Sequence, residues 1–207
     1  MSDGITRTWL ILLVDACQKA GLTPIPKDRF HRIIYLSNCL APLFQETPEA
    51  ARLVKFRRGP FYPHVQWQLD HLGAVGVLDI SGLSYIRDEV GSWMLASYGP
   101  NQSTAVIIER LTMTAYGRRL AEYLTEVVFA FAALRGKFWD EVALHDTNYV
   151  GRGEDSMINL DRENLSMRTA EHFQTLLPAG IRPSQRQELF VYLRFLERLS
   201  EKGPIAV

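Results

Sequence analysis

The 207-residue chain has no excess charge of either sign: 23 Lys plus Arg stand against 23 Asp plus Glu, a formal net charge of zero. A protein that coats a nucleic-acid backbone carries a clear basic surplus. Any DNA contact here must therefore come from a local patch or be shared with a partner. Cysteine is also scarce, and Cys17 and Cys39 both fall in apolar, helical patterns. Two such residues make no disulfide framework, so buried free thiols in a cytoplasmic protein are the expectation. Long apolar runs are missing as well. The N-terminal run from Trp9 to Val14 stops at Asp15, too short for a signal segment and far short of the ~20 residues a membrane span needs. No repeat, low-complexity tract or charge block occurs, and 47% hydrophobic with 22% charged residues fits an ordered, soluble chain.

The signatures of catalysis are equally thin. There is no glycine-rich phosphate loop ending in Lys-Ser/Thr and no Gly-x-Ser-x-Gly elbow. The five histidines, His31, His64, His71, His145 and His172, are dispersed. His64 and His71 lie two helical turns apart, about 10 Å along an axis, whereas metal-ligand pairs sit one turn apart. His145-Asp146 has no second ligand at a helical offset and reads as part of a polar loop, with Glu154, Asp155 and Asp161 solvated nearby. The expectation is a non-enzyme with no metal and no cofactor.

What is present is helical patterning around a β-rich middle. Thr6 to Ala20 reads as a helix ended by Gly21, with Leu10, Leu13, Val14 and Cys17 at core spacing. After the two prolines of Leu22 to Pro26, a second helix is expected from Lys27 to Leu40, with Arg29 and Arg32 facing solvent. Thr47-Pro48-Glu49 has the order of an N-cap and a first helical turn, which predicts a short helix over Glu49 to Leu53. Later, Ala105 to Leu111 reads as a strand and Thr114 to Arg135 as a long helix. Leu120, Leu124, Val127, Phe131 and Leu134 share one face of that helix. Val128, Phe129 and Ala130 make its middle apolar almost all round, so this part should bury against the C-terminal helices or a partner. A short helix is expected at Phe138 to Leu144 and another over Ser166 to Leu177. A final helix opens on the capping box Ser184 and Gln187.

The informative stretch is Val54 to Leu83. A short strand (Val54 to Phe56) leads to a Gly59-Pro60 turn, then a helix from Pro63 to Val75, a glycine exit at Gly76 and a strand from Val77. Tyr85 to Tyr98 is β-rich, with a hairpin turn expected at Asp88 to Gly91. Between Glu49 and Asp70 the chain has Arg52, Lys55, Arg57 and Arg58 and no acid. With His64, Gln66 and Gln68 read as exposed on the following helix, and with Arg118 and Arg119 further on, these are the candidates for phosphate or base contacts. On the helical wheel Val65, Leu69, Leu72 and Gly76 form one face, and His64, Trp67, His71 and Ala74 the other. A bulky indole is a poor reader of base edges. Trp67 should therefore be covered, by the first two helices or by a protein partner, and the internal cover is the preferred expectation.

The two segments KFRRGPFYPHVQWQLDHLGAVGVLDI and LTMTAYGRRLAEYL carry a resemblance. Over about residues 27 to 125 the chain resembles two bacterial groups. One is the Panacea-type domain of antitoxins and proteolytic adaptors. The other is the middle component of ABC three-component systems, including the small accessory subunit of Lamassu anti-phage defence. The order of corner, helix, glycine exit, two strands and the helix opened by LTMTAYGRRL is itself the pattern of a winged helix-turn-helix, so the expected fold is mainly α with a small β wing (α+β), a winged helix-turn-helix core flanked by N- and C-terminal helices. Residues 1–125 would hold the N-terminal helices and winged-helix domain, and 126–207 a helical C-terminal part. The resemblance implies an accessory subunit that bridges an SMC- or Rad50-like coiled-coil ATPase to a nuclease-type effector and possibly contacts double-stranded DNA, with no membrane partner. Trp67, Val128 and Phe129 would form the partner interface. The alternatives are a toxin-binding antitoxin or adaptor, and a stand-alone DNA-binding regulator.

Overall fold

The N-terminal apolar stripe folds as α1 (Asp3–Lys19) in the computed structural model, which describes residues 3–49, 53–56, 58–89, 91–160, 164–178, 180 and 182–202. Gly21, at φ 71, closes the helix. Its N–H bonds Gln18 O (3.0 Å) and the Leu22 N–H reaches Cys17 O (2.8 Å), a left-handed cap that only glycine adopts without cost. Trp9, Leu10, Leu12, Leu13, Val14, Ala16 and Cys17 are all buried, so α1 is the central rod on which other elements pack.

A two-residue strand β1 (Ile25–Pro26) leads into α2 (Lys27–Leu40), and Pro42 turns the chain into a 3-10 segment, Ala41–Phe44. Of the short helix expected over Glu49 to Leu53, residues 50–52 lie outside the described residues; Glu49 is irregular and Leu53 opens a strand. The Glu49 carboxylate is buried and accepts a bond from Thr6 Oγ1 (2.6 Å), which ties it to α1. Strand β2 (Leu53–Phe56) pairs antiparallel with β3 (Gly59–Phe61), so Gly59 and Pro60 lie in a strand and not in a free turn.

Helix α3 (Pro63–Ala74) follows, capped as α1 is, by Gly76 at φ 71 with the Val77 N–H on Leu72 O (2.9 Å). The long strands β4 (Leu78–Asp88) and β5 (Gly91–Pro100) form a hairpin whose last pair is Asp88–Gly91, at the expected turn. β1 pairs with the other side of β5, giving the order β1-β5-β4. Where a strand was expected at Ala105 to Leu111 there is a helix, α4 (Gln102–Met113). Asn101 Oδ1 accepts from the Thr104 N–H and Thr104 Oγ1 from the Asn101 N–H, a reciprocal cap that overrides the β-branched run Val106-Ile107-Ile108.

Helix α5 (Ala115–Ala132) buries Leu120, Leu124, Val127, Val128 and Phe131. The expected helix at Phe138 to Leu144 is instead two 3-10 turns, Gly136–Phe138 and Val142–His145. Between them Asp140 pairs with Arg29 (2.8 Å) and Arg32 (3.4 Å), so these arginines are engaged, not free in solvent. A short helix α6 (Thr147–Val150) precedes β6 (Met157–Ile158), which pairs with β2 in a second sheet of order β3-β2-β6. Helices α7 (Leu165–Thr175) and α8 (Gln185–Glu201) complete the chain, the latter on the expected Ser184–Gln187 box. The whole is an α+β protein, mainly helical. Position 125 lies within α5, and one buried cluster runs from α1 through α5 to Leu189, Tyr192, Leu193 and Leu196 of α8. Among the described residues no helix is long and apolar enough to cross a membrane.

Candidate partner-binding surface

The basic corner is built from β2 and β3 and is turned towards its own chain. Lys55 Nζ donates to the carbonyls of Tyr149 (3.0 Å) and Arg152 (2.6 Å) and lies 4.8 Å from the centre of the Tyr149 ring. Arg58 pairs with Asp88 at the tip of the β4–β5 hairpin and lies 5.7 Å from the centre of the Trp93 ring. Trp93 is in turn stacked on Phe56 (5.0 Å, 11°) and covered by Lys27 Nζ at 4.0 Å. Both described members of the corner are thus fastenings, one for the 149–152 segment and one for the hairpin. Arg52 and Arg57 lie outside the described residues. Arg118 and Arg119 stand exposed at the start of α5, where Arg119 reaches Glu46 (3.4 Å). Among the described residues they share no bonding partner with Lys55 or Arg58.

Helix α3 divides its polar residues differently from the expectation. Gln68 is fully buried, its Oε1 accepting from Arg7 Nε (2.7 Å), and is withdrawn as a contact residue: it falls beside Val65, Leu69 and Leu72, where α1 covers it. His64 remains accessible, with Nε2 3.7 Å from Asp3 Oδ1. Trp67 is 56% exposed, so neither of the first two helices covers it. Its ring lies between two imidazoles, those of His64 (6.5 Å, 21°) and His71 (5.8 Å, 12°), and Val75 continues the exposed stripe. An indole is among the side chains most often found as the anchor of a protein interface.

A second exposed aromatic lies on α5. Phe129 is 48% exposed, whereas Val128, one residue before it and 100° round the helix, is fully buried in the core and is withdrawn as an interface residue. Phe129 and Phe190 of α8, with Thr125, Ala130 and Ala133, line a surface groove of about 400 Å³, rimmed by the ion pair of Arg186 with Glu126.

No protein-family model matches the chain, and no curated protein is significantly similar to it.

Both thiols, His31 and Asp146 are buried within the protein. Burial pushes the Cys17 thiol up to about 12 and raises that of Cys39 as well. His31 is buried between α2 and β3. Its Nδ1 accepts the Tyr62 N–H (3.4 Å), which leaves the proton on Nε2 to donate to Gln66 Oε1 (3.0 Å). Burial lowers its pKa from 6.5 to about 4, outweighing the Gln66 bond, which acts in the opposite direction. Gln66 passes the connection on, donating through Nε2 to Asp70 Oδ1 (2.8 Å) and Tyr98 Oη (2.7 Å).

Asp146 is fully buried and overturns the expectation of a polar loop at His145-Asp146. Its carboxylate accepts from Tyr35 Oη (2.5 Å), Tyr192 Oη (2.5 Å), Ser166 Oγ (2.6 Å) and the Asn148 N–H (2.9 Å). That set ties α2, α6, α7 and α8 to a single side chain. Sequence reasoning missed it because Tyr35, Tyr192 and Ser166 come from distant segments. The one local signal was Asp-Thr-Asn, an N-cap motif, and Asp146 does cap α6. Among the described residues no three His, Cys, Asp or Glu side chains are grouped to hold a metal ion.

Proposed function

We propose that this chain is a non-enzymatic, winged-helix accessory subunit that works in the cytoplasm by docking on protein. On the resemblance in its sequence, the partner is an SMC- or Rad50-like coiled-coil ATPase of an anti-phage defence complex, which the subunit bridges to a nuclease-type effector. The order α1-β1-α2-β2-β3-α3-β4-β5 supports the winged-helix part of this reading, with β1 laid on β5 and the hairpin directly after α3, and with β2 and β3 of the second sheet inserted between α2 and α3. That is the connectivity in which α3 is the recognition helix and β4–β5 the wing.

One observation carries the choice of protein over DNA. The outer face of α3 presents Trp67 between two imidazoles, while Lys55 and Arg58 bond the chain's own carbonyls and Asp88. An exposed aromatic anchor is the signature of a protein interface, and phosphate binding needs free cations. The non-enzymatic reading is supported by the internal use of His31, Asp146 and both thiols.

Expressing the tagged subunit together with the products of its neighbouring genes, among which the proposal expects a coiled-coil ATPase and an effector, tests it. The expected result is a co-purifying complex. Trp67→Ala, a surface change costing within about 0.5 kcal/mol of stability, should lower recovery of the ATPase at least tenfold while leaving the melting temperature in place. A subunit that emerges without the ATPase would overturn the proposal. Tight, salt-steep DNA binding by the subunit alone would replace it with the DNA-binding regulator.

A further inference from the structure

The groove between α5 and α8 is bounded at each end by an arginine. At one end Arg186 of α8 pairs with Glu126 of α5. At the other, Arg194 Nη2 donates to the carbonyl of Ala133, the C-cap of α5 (3.0 Å), and Nη1 to Glu197 (2.6 Å). The two helices therefore run side by side in the same direction. Both spans, Glu126 to Ala133 and Arg186 to Arg194, are about two helical turns, roughly 10–12 Å. Phe129 lies one turn past Glu126 and Phe190 one turn past Arg186, so the rings stand at one level, one on each wall. Both are exposed. The α5 wall otherwise carries the small residues Thr125, Ala130 and Ala133, which allow another backbone to come close.

The charges around the groove point to one kind of occupant. In each tie the cation is the outer member. The Arg186 side chain is 73% exposed against 25% for Glu126, and Arg194 37% against 4% for Glu197. At the basic corner the order is reversed, with Arg58 at 22% and Asp88 at 41%. Arg198, one turn beyond Arg194, is exposed as well. A surface approaching the groove thus meets two phenyl rings between guanidinium groups, with the acids lying beneath. Guanidinium groups pair best with carboxylates, and charge of opposite sign across an interface sets its register. An amphipathic helix meets both demands, because one face offers apolar anchors at each turn and its flank can place acids two turns apart.

We propose that the α5–α8 groove binds an acidic amphipathic helix of a partner protein. Its apolar stripe sits between Phe129 and Phe190, and two carboxylates, two turns apart, meet Arg186 and Arg194. The groove is built from α5 and α8 and not from α3, so the proposal does not depend on the partner assigned to Trp67.

Fluorescence anisotropy of a labelled synthetic helix titrated with the purified full chain tests this. The probe is a peptide of Ala, Gln and Leu, about five turns long, with Leu along one face and Glu two turns apart beside it. Its counterpart carries Lys in place of Glu. Saturable binding of the Glu peptide is expected, at least tenfold tighter than that of the Lys peptide. Phe129→Ala should weaken it at least tenfold with an unchanged melting temperature, since the ring is exposed. Arg186→Gln should remove most of the difference between the two peptides, and Trp67→Ala should change neither. Equal affinity for both peptides, or a Phe129→Ala variant that binds as the parent does, overturns the proposal. So does a dimer of the chain that Phe129→Ala dissolves, which would make a second copy the occupant. Binding to phosphatidylserine vesicles in place of the peptide would overturn it in favour of a membrane surface.

Discussion

His31 shows how burial alone sets the behaviour of a single side chain. Buried on α2 against β3, with Nδ1 accepting the Tyr62 N–H, it has a pKa that burial lowers to about 4 from an unfolded value of 6.5, against the opposing pull of the Gln66 bond. Between those values the unfolded chain holds a proton that the folded chain does not. Stability contributed by this group is therefore complete above pH 6.5, declines as pH falls through the window, and is gone by pH 4. The span corresponds to about 3 kcal/mol. Urea midpoints measured from pH 4 to 7 should show this slope in the parent and a shallower one in His31→Gln. Equal slopes would mean that the imidazole is not held neutral. In sequence the same residue was one of five scattered histidines. Its apolar neighbours Phe30, Ile33 and Ile34 suggested burial, but its partners came from the N-cap and first turn of α3.

The elements were legible where a terminal signal and a periodic stripe agreed. α2, α8 and the hairpin turn at Asp88–Gly91 fall where the residues place them. The α4 error is the instructive one, because Val106-Ile107-Ile108 favours a strand by propensity while Asn101 and Thr104 start a helix. Asn101 also bonds Gly76 O (3.2 Å) and Asp79 Oδ1 (3.0 Å) through Nδ2, so the cap joins the ends of α3 and β4 to α4. Asn101→Ala should destabilise the protein by about 1–2 kcal/mol, read as a lower urea midpoint with an unchanged slope. A loss smaller than a few tenths would show that tertiary packing, not the cap, holds α4. Neither the basic corner nor the wheel face of α3 could be read at this scale. A lysine in a short strand has the same sequence appearance whether it points to solvent or, as Lys55 does, to two carbonyls of a distant loop.

At the scale of the molecule, Asp146 is the joint between the N-terminal and C-terminal halves of the chain. Tyr35 reaches it from α2 and Tyr192 from α8, with Ser166 of α7 between them. Removing the carboxylate leaves three buried hydroxyl donors unsatisfied. Asp146→Ala should cost about 3–5 kcal/mol. Because one buried cluster spans α1, α5 and α8, the loss should appear as a shift of a single transition, coincident by tryptophan fluorescence and far-UV circular dichroism. Two separated transitions in the parent would show instead that the helices after α5 fold as an independent unit. The same scale decides what surface remains for partners. With the basic corner fastening the wing and Gln68 turned into the core, Trp67 and Phe129 are among the apolar side chains that stay accessible.

The residue order by itself determined the helical stripes, the glycine caps at Gly21 and Gly76, the hairpin turn and the neutral charge that argues against a nucleic-acid coat. All of these rest on local backbone preference or on simple composition. Only the tertiary structure decided which polar groups are spent. Asp146, Gln68, Lys55 and Arg58 each meet partners from distant segments, a pairing that no local pattern encodes. It also left Trp67 in solvent, because α1 packs against the opposite side of α3. A wheel can divide a helix into two faces, but which face the rest of the chain covers depends on where its neighbours come to lie.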